Sequence, residues 1–156
     1  MRRKDREVTD EEKIKQIIKD CHCCRVGLYD GNSPYIVPLN FGYEEKENQK
    51  VFYFHGATVG KKITLIKNCN TVGFELDIFH GLQSASEACG YTCLYQSIVG
   101  SGTIHILDSV EEKLHGLQVI MEHYTGRKDW TIPPCAVDTV AVFRLNVKNL
   151  TCKEHV

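Results

Sequence analysis

The chain has 156 residues, enough for one domain with a substantial core, and its 42% hydrophobic and 25% charged residues are globular values that exclude disorder. A formal net charge of −1 with a pI near 6.6 excludes a general binder of nucleic acid or anionic membrane, since either would need a basic surplus. The charged start MRRKDREVTDEEK has no apolar segment behind it, and no run approaches the roughly 18 apolar residues of a membrane helix, so a cytoplasmic protein without leader or anchor is expected.

Residues 1–8 read as a charged arm on a single domain spanning 1–156. Thr9 and Glu12 fit a capping box, and Ile14, Ile17, Ile18 and Cys21 then recur on one helix face. Residues 23–30 read as a strand, 31–34 (GNSP) as a turn, and 35–43 as one long strand. Tyr35, Val37, Leu39, Phe41 and Tyr43 line one face of that strand; Ile36, Pro38, Asn40 and Gly42 line the other. Pro38 would break a central ladder, which predicts an edge, bulge or unpaired stretch there. EEKENQK is a hairpin loop returning strand 51–55, and a short helix begins near Gly60 and ends by Asn68.

A strand over 71–79 follows, then a loop over 80–91. The next strand, 92–107, carries Gly100 and Gly102 as markers of a bulge or bend. Residues 109–124 form a helix with Val110, Leu114, Leu117 and Met121 on its core face. After the irregular TGRKDWTIPP comes a last strand, AVDTVAVFRLNV. Six strands joined largely by hairpins, with about three helices, predict a mainly β fold: a six-stranded antiparallel barrel with helices packed outside.

The eight cysteines follow no secreted-framework spacing and read as reduced, mostly buried thiols. The adjacent residues of CHCC (21–24) cannot all converge on one tetrahedral ion, so no metal site is assigned.

Residues 51–63, VFYFHGATVGKKI, pose an electrostatic question. They read as strand, tight loop and helix start, yet Lys61 and Lys62 occupy the first turn, where the macrodipole is already positive. A bound anion resolves the conflict. Free N–H groups, close backbone approach at Gly56 and Gly60, the Thr58 hydroxyl and two ammonium groups suit a phosphate monoester. A surface helix with two solvated lysines is the other reading of this stretch. The segment is one residue short of a Walker A loop and has Lys62 where a magnesium-binding hydroxyl should stand, which argues against nucleotide hydrolysis.

Three blocks, PYIVPLNFGY (34–43), FYFHGATVGKKI (52–63) and YQSIVGSGTI (95–104), together resemble the FMN-binding split-barrel superfamily of pyridoxamine 5′-phosphate oxidase, in the branch related to nitroimidazole-resistance proteins. The resemblance covers roughly residues 8 to 152. It implies a homodimer with two FMN molecules at the subunit interface. Val37, Pro38, Leu39 and Asn40 match the strand bordering the isoalloxazine ring. His55, Gly56 and Ala57 match the segment beside the ring and ribityl chain. Gly60, Lys61 and Lys62 match the phosphate cradle, and Tyr95, Ser97 and Ile98 match a further cofactor-facing strand. The arginine- and histidine-bearing C-terminal motif of pyridoxamine-phosphate oxidase has no counterpart in VAVFRLNVKNLTCKEHV, which argues against vitamin B6 oxidation.

The expected function is an FMN-dependent oxidoreductase acting on a small aromatic or nitroaromatic acceptor, with NAD(P)H or another electron donor. The alternative is a flavin- or haem-binding module of the same architecture without efficient turnover. His55 is the candidate catalytic residue, since near neutral pH it can give or take a proton; its other role is to hydrogen-bond the cofactor. Trp130 would either cover the flavin of a partner subunit or plug the core.

Overall fold

The computed structural model describes residues 3–156. Its strands are β1 (Glu7–Val8), β2 (Cys24–Tyr29), β3 (Pro34–Leu39), β4 (Phe41–Lys46), β5 (Gln49–Gly56), β6 (Thr71–Gln83), β7 (Thr92–Ile106) and β8 (Ala141–His155). Its helices are α1 (Glu11–Asp20), α2 (Lys61–Asn68), α3 (Val110–Thr125) and α4 (Pro134–Asp138). Every strand pair is antiparallel, and the sheet runs in the order β3-β2-β6-β7-β8-β5-β4, with β1 added on β8. The two ends of that path, β3 and β4, are separated in sequence only by Asn40. The sheet therefore curls until its edges meet at one residue, joined by the chain and not by a ladder. That is a split barrel.

The eight strands exceed the expected six for two reasons. The stretch read as one strand breaks at Asn40 to pass from one sheet edge to the other, and the supposed arm contributes β1, where Val8 is buried opposite Cys152. Pro38 lies on edge strand β3, where its missing N–H breaks no central ladder. Residues 80–83, read as loop, continue β6 past a register shift between Phe79 and Gly81, and β8 runs on to His155. A register shift between Ser101 and Gly102 falls at the expected bend in β7. Glu47 and Asn48 have positive φ and make the two-residue turn between β4 and β5.

The barrel interior is built from phenylalanines that alternate inward: Phe41, Phe52, Phe54 and Phe143 are fully buried, and the Phe52 ring centroid stands 5.2 Å from Phe74. Ile14, Ile17 and Ile18 of α1 and Ile63, Leu65 and Ile66 of α2 complete that core. Asp10, not Thr9, caps α1, accepting from Glu12 N at 2.9 Å and Lys13 N at 3.3 Å. Outside the barrel, α3 covers Val51, Tyr53 and Val142.

The face of α3 against the barrel is not the expected one. Gly116 and Ile120 are its buried residues; Leu117 packs against that cluster as expected, but Leu114 and Met121 are only half-buried and Val110 is exposed. The reason is a close backbone crossing. A Cβ on Gly42 would stand 2.5 Å from Ile120 N, and one on Gly116 would stand 2.9 Å from Tyr53 Cδ1. Of the cysteines, Cys21, Cys24 and Cys152 are buried, but Cys89, Cys93 and Cys135 are exposed, contrary to the mostly buried expectation. All eight are free thiols, and burial pushes Cys21 up to about 12. No helix among the described residues is long and apolar enough to cross a membrane.

Candidate functional site

Strand β5 is buried from Val51 to Phe54 and emerges at His55. The β4–β5 ladder pairs Phe41 with Phe54, so one further step in that register sets Asn40 opposite His55. The point where the barrel edges meet is thus also the point where β5 ends and α2 begins. Pro38 and Asn40 are exposed there, whereas Val37 and Leu39 turn inward against the core. Ala57, Thr58 and Val59 form an exposed loop, and Gly60, at φ +121°, turns the chain into α2 in a conformation that a β-carbon would strain.

The start of α2 differs from those of the other long helices. Asp10 caps α1 and Ser109 caps α3, and each helix carries two acidic residues in its first turn. Helix α2 has no side-chain cap and no acid in its first turn, and it opens with two lysines. Its first N–H groups and the positive end of its dipole are left to a ligand or to water.

The two lysines are not equivalent. Lys61 Nζ lies 3.0 Å from Asp30 Oδ2 and 4.5 Å from the centroid of the Tyr35 ring, with its side chain 51% exposed. Asp30 belongs to the β2–β3 turn and accepts from Ser33 N at 2.9 Å and Asn32 N at 3.1 Å. Those backbone donors, with Lys61, bring its pKa down to about 2. Lys61 therefore ties α2 to the β2–β3 hairpin.

Lys62 turns the other way. It is half-buried, with Nζ 5.3 Å from the centroid of the Phe143 ring, and makes no ion pair among the described residues. Burial holds its pKa below the usual lysine range. Gly56 makes room for it, since a Cβ there would stand 2.5 Å from the ammonium. Burial, and secondarily the Lys62 charge, depress His55 as well. An uncapped helix, a half-buried cation without a counter-charge and a glycine that admits it fit a phosphate dianion, which would supply the missing charge and acceptors.

Other expected positions lie elsewhere. Ile98 is a fully buried core side chain, on the opposite face of β7 from Tyr95 and Ser97. β7 stands three strands from β3, about 14 Å across the sheet. Along β7, Ser97 is about 30 Å from Ile106, whose partner Phe143 adjoins Val142, the ladder partner of His55. One copy of the chain does not gather Tyr95 and Ser97 around His55. Trp130 does not plug the core: it is half-buried, its Nε1 donates to Thr125 Oγ1 at 2.9 Å, and the Arg127 guanidinium stands 4.3 Å from its ring centroid. Asp30, Tyr35 and Phe143, which sort the two lysines into different roles, escaped the sequence reading. Among the described residues, no group of three or more His, Cys, Asp or Glu side chains is placed to hold a metal.

Comparison with known proteins agrees with this architecture. No curated protein matches the chain. Among solved structures it is similar to a proposed 5-nitroimidazole antibiotic resistance protein from Bacteroides thetaiotaomicron, at 32% identity and a TM-score of 0.80, covering 94% of this chain and 85% of that one. The flavocytochrome Anf3 from Azotobacter vinelandii shares the fold at 18% identity and a TM-score of 0.80, over 100% of this chain and 72% of that one. So does an FAD- and haem-binding protein from Mycobacterium smegmatis, at 14% identity and a TM-score of 0.82, over 96% and 73%. The family model for pyridoxamine 5′-phosphate oxidase matches residues 10–154. The chain is a split barrel that belongs to the pyridoxamine 5′-phosphate oxidase family.

Proposed function

We propose that this protein is an FMN-dependent oxidoreductase of the cytoplasm that reduces a small aromatic or nitroaromatic acceptor, drawing electrons from NAD(P)H or another donor. The observation that carries this reading is Lys62, a half-buried cation without a carboxylate, beside an uncapped helix start. The similarity to a proposed nitroimidazole-resistance protein supports the acceptor class.

In this reading Lys62 and the first N–H groups of α2 hold the flavin phosphate. Gly56 and Ala57 let the backbone approach the ribityl chain. Val37 to Asn40 border the ring, with the exposed edge of β3 open to it. Bound flavin supplies the electron transfer; the chain supplies position and electrostatics. His55 is held toward its neutral form, which suits a hydrogen bond to the cofactor or uptake of a proton. An anion against Lys62 would offset that cation and return His55 toward its ordinary range, where it can also donate a proton.

Two copies complete the site. Tyr95 and Ser97 reach a flavin only if it is held by a second chain. The outer face of β3-β2-β6-β7 offers a surface for that pairing. Gly27 and Gly73 lie in register between Ile36 and Ser101, and Val99 stands two residues along β7 on the same face; Ile36 and Val99 are 64% and 54% accessible.

The visible spectrum of the purified protein, with mass identification of any bound small molecule, tests the reading. Flavin bands are expected, together with bleaching by NAD(P)H under anaerobic conditions and reoxidation by a nitroaromatic. Bleaching without acceptor reduction would leave a flavin-binding module, and a Soret band would point to haem. His55→Ala is expected to retain flavin while slowing acceptor reduction about 10²-fold. Val99→Glu is expected to yield monomers in sedimentation and to lower flavin affinity with them.

A further inference from the structure

A charged pocket lies on the outer face of the barrel, where the first turns of α3 cross β4, β5 and β8. Its volume is about 250 Å³. Tyr53 and Arg144, ladder partners on β5 and β8, line it with the buried Leu107, and Lys46, Glu111, Glu112 and His115 stand around it. That volume is below the range of drug-sized sites and suits a ligand of a few heavy atoms.

Arg144 is incompletely satisfied. Its Nη1 donates to Glu112 Oε1 at 3.3 Å, long for a charge-assisted bond. Its Nε is buried and donates to nothing, the one such side-chain nitrogen or oxygen among the described residues. A buried donor without an acceptor is costly, and one edge of a guanidinium pairs with a carboxylate through two parallel bonds.

The neighbouring groups divide into occupied and free. His115 Nε2 lies 2.9 Å and 3.0 Å from the two oxygens of Glu44, and Tyr53 donates its hydroxyl to the same carboxylate at 2.8 Å. Lys46 and Glu111 make no ion pair among the described residues. The pocket therefore offers a guanidinium edge and an ammonium to an anionic group, and a carboxylate to a cationic one. With His115 neutral, the charges of Lys46 and Arg144 cancel those of Glu111 and Glu112, so a simple anion meets repulsion as well as attraction.

We infer that this pocket binds a small zwitterion, its carboxylate on Arg144 and Lys46 and its ammonium on Glu111, the chemistry of a free α-amino acid with a short side chain. Such a ligand supplies the acceptor that Arg144 Nε lacks, and its own neutrality matches the balance of the lining. The inference stands apart from the flavin reading, since no residue of the α2 start lines the pocket.

Calorimetric titration of the full chain with L-alanine, propionate and ethylamine tests this; propionate lacks the ammonium of alanine and ethylamine lacks its carboxylate. L-Alanine is expected to bind saturably. Ethylamine should bind at least about tenfold more weakly, the effect of one charge-assisted hydrogen bond or more, and propionate about two- to fivefold more weakly, the effect of one exposed ion pair. Arg144→Gln should weaken L-alanine about tenfold or more, and Glu111→Gln about two- to fivefold. Glu111 lies on the exposed first turn of α3, so its variant keeps the test decisive even where Arg144→Gln fails to fold. No saturable binding of L-alanine, propionate bound as tightly as L-alanine, or an L-alanine affinity unchanged by either substitution would each overturn the assignment.

Discussion

Gly56 and Lys62 form an interlocked pair: the space in which a β-carbon of residue 56 would sit is filled by the Lys62 ammonium, 2.5 Å from that position. The obstructing atom is the end of a flexible side chain, so Gly56→Ala is expected to fold normally by swinging the lysine aside. The cost falls on the ligand. FMN affinity should drop about tenfold, the effect of losing one charge-assisted hydrogen bond, with the melting temperature nearly unchanged. Calorimetric titration beside a thermal melt checks this, and unchanged FMN affinity would separate the pair from binding.

The two lysines should behave differently on substitution. Lys62→Met removes a half-buried cation that lacks a counter-charge, so the flavin-free protein should become more stable while FMN binding weakens about 10- to 100-fold. Lys61→Ala breaks an exposed pair with Asp30 and should change affinity less. Denaturant midpoints and FMN titrations on both variants decide the matter. A destabilised Lys62→Met protein would contradict the assignment of Lys62 as an uncompensated charge.

Acid should weaken the fold in a defined window. Burial is the first cause of the lowered pKa of both His55 and His123, and both fall below the ordinary 6.5. As pH drops through 6.5 the unfolded chain takes up these protons first, so stability declines from about 6.5 downward and levels off below the folded-state values. Urea midpoints at pH 7.5 and 5.5 should show the loss, and His55→Gln/His123→Gln should flatten it. A midpoint rising on acidification across that range would contradict it.

The crossing of α3 over the barrel depends on Gly42. Its missing β-carbon would stand 2.5 Å from backbone atoms of Val119 and Ile120, which cannot swing away as a side chain does. Gly42→Ala should therefore cost about 1–3 kcal/mol, the range for overpacking, read as a lower melting temperature. An unchanged melt would mean that α3 shifts freely on the sheet.

Much of the fold is legible in period-two patterning. Tyr35, Val37, Leu39 and Phe41 turn inward as their alternation predicts, and Pro38 falls on an edge. The break at Asn40 is not legible, because nothing local distinguishes one long strand from two that lie at opposite ends of a curled sheet. The face of α3 is misjudged for a related reason. Apolar periodicity points to Leu114, Leu117 and Met121, but the closest approaches are set by Gly42 against the backbone of Val119 and Ile120 and by Gly116 against Tyr53, contacts distant in sequence. At the site, two lysines in a helix's first turn are conspicuous in one dimension. That Lys61 is already paired while Lys62 is not depends on Asp30, 31 residues away, and only the folded chain brings that carboxylate to one lysine and not the other.

The most direct measurement is the affinity of the flavin-free protein for FMN against riboflavin, which differ only by the phosphate. Two or more charge-assisted hydrogen bonds from Lys62 and the α2 N-terminus should make FMN about 100-fold tighter or more, with the difference shrinking in Lys62→Met. Equal affinity for the two, in native and variant protein alike, would contradict the assignment of Lys62 and the start of α2 as a phosphate site.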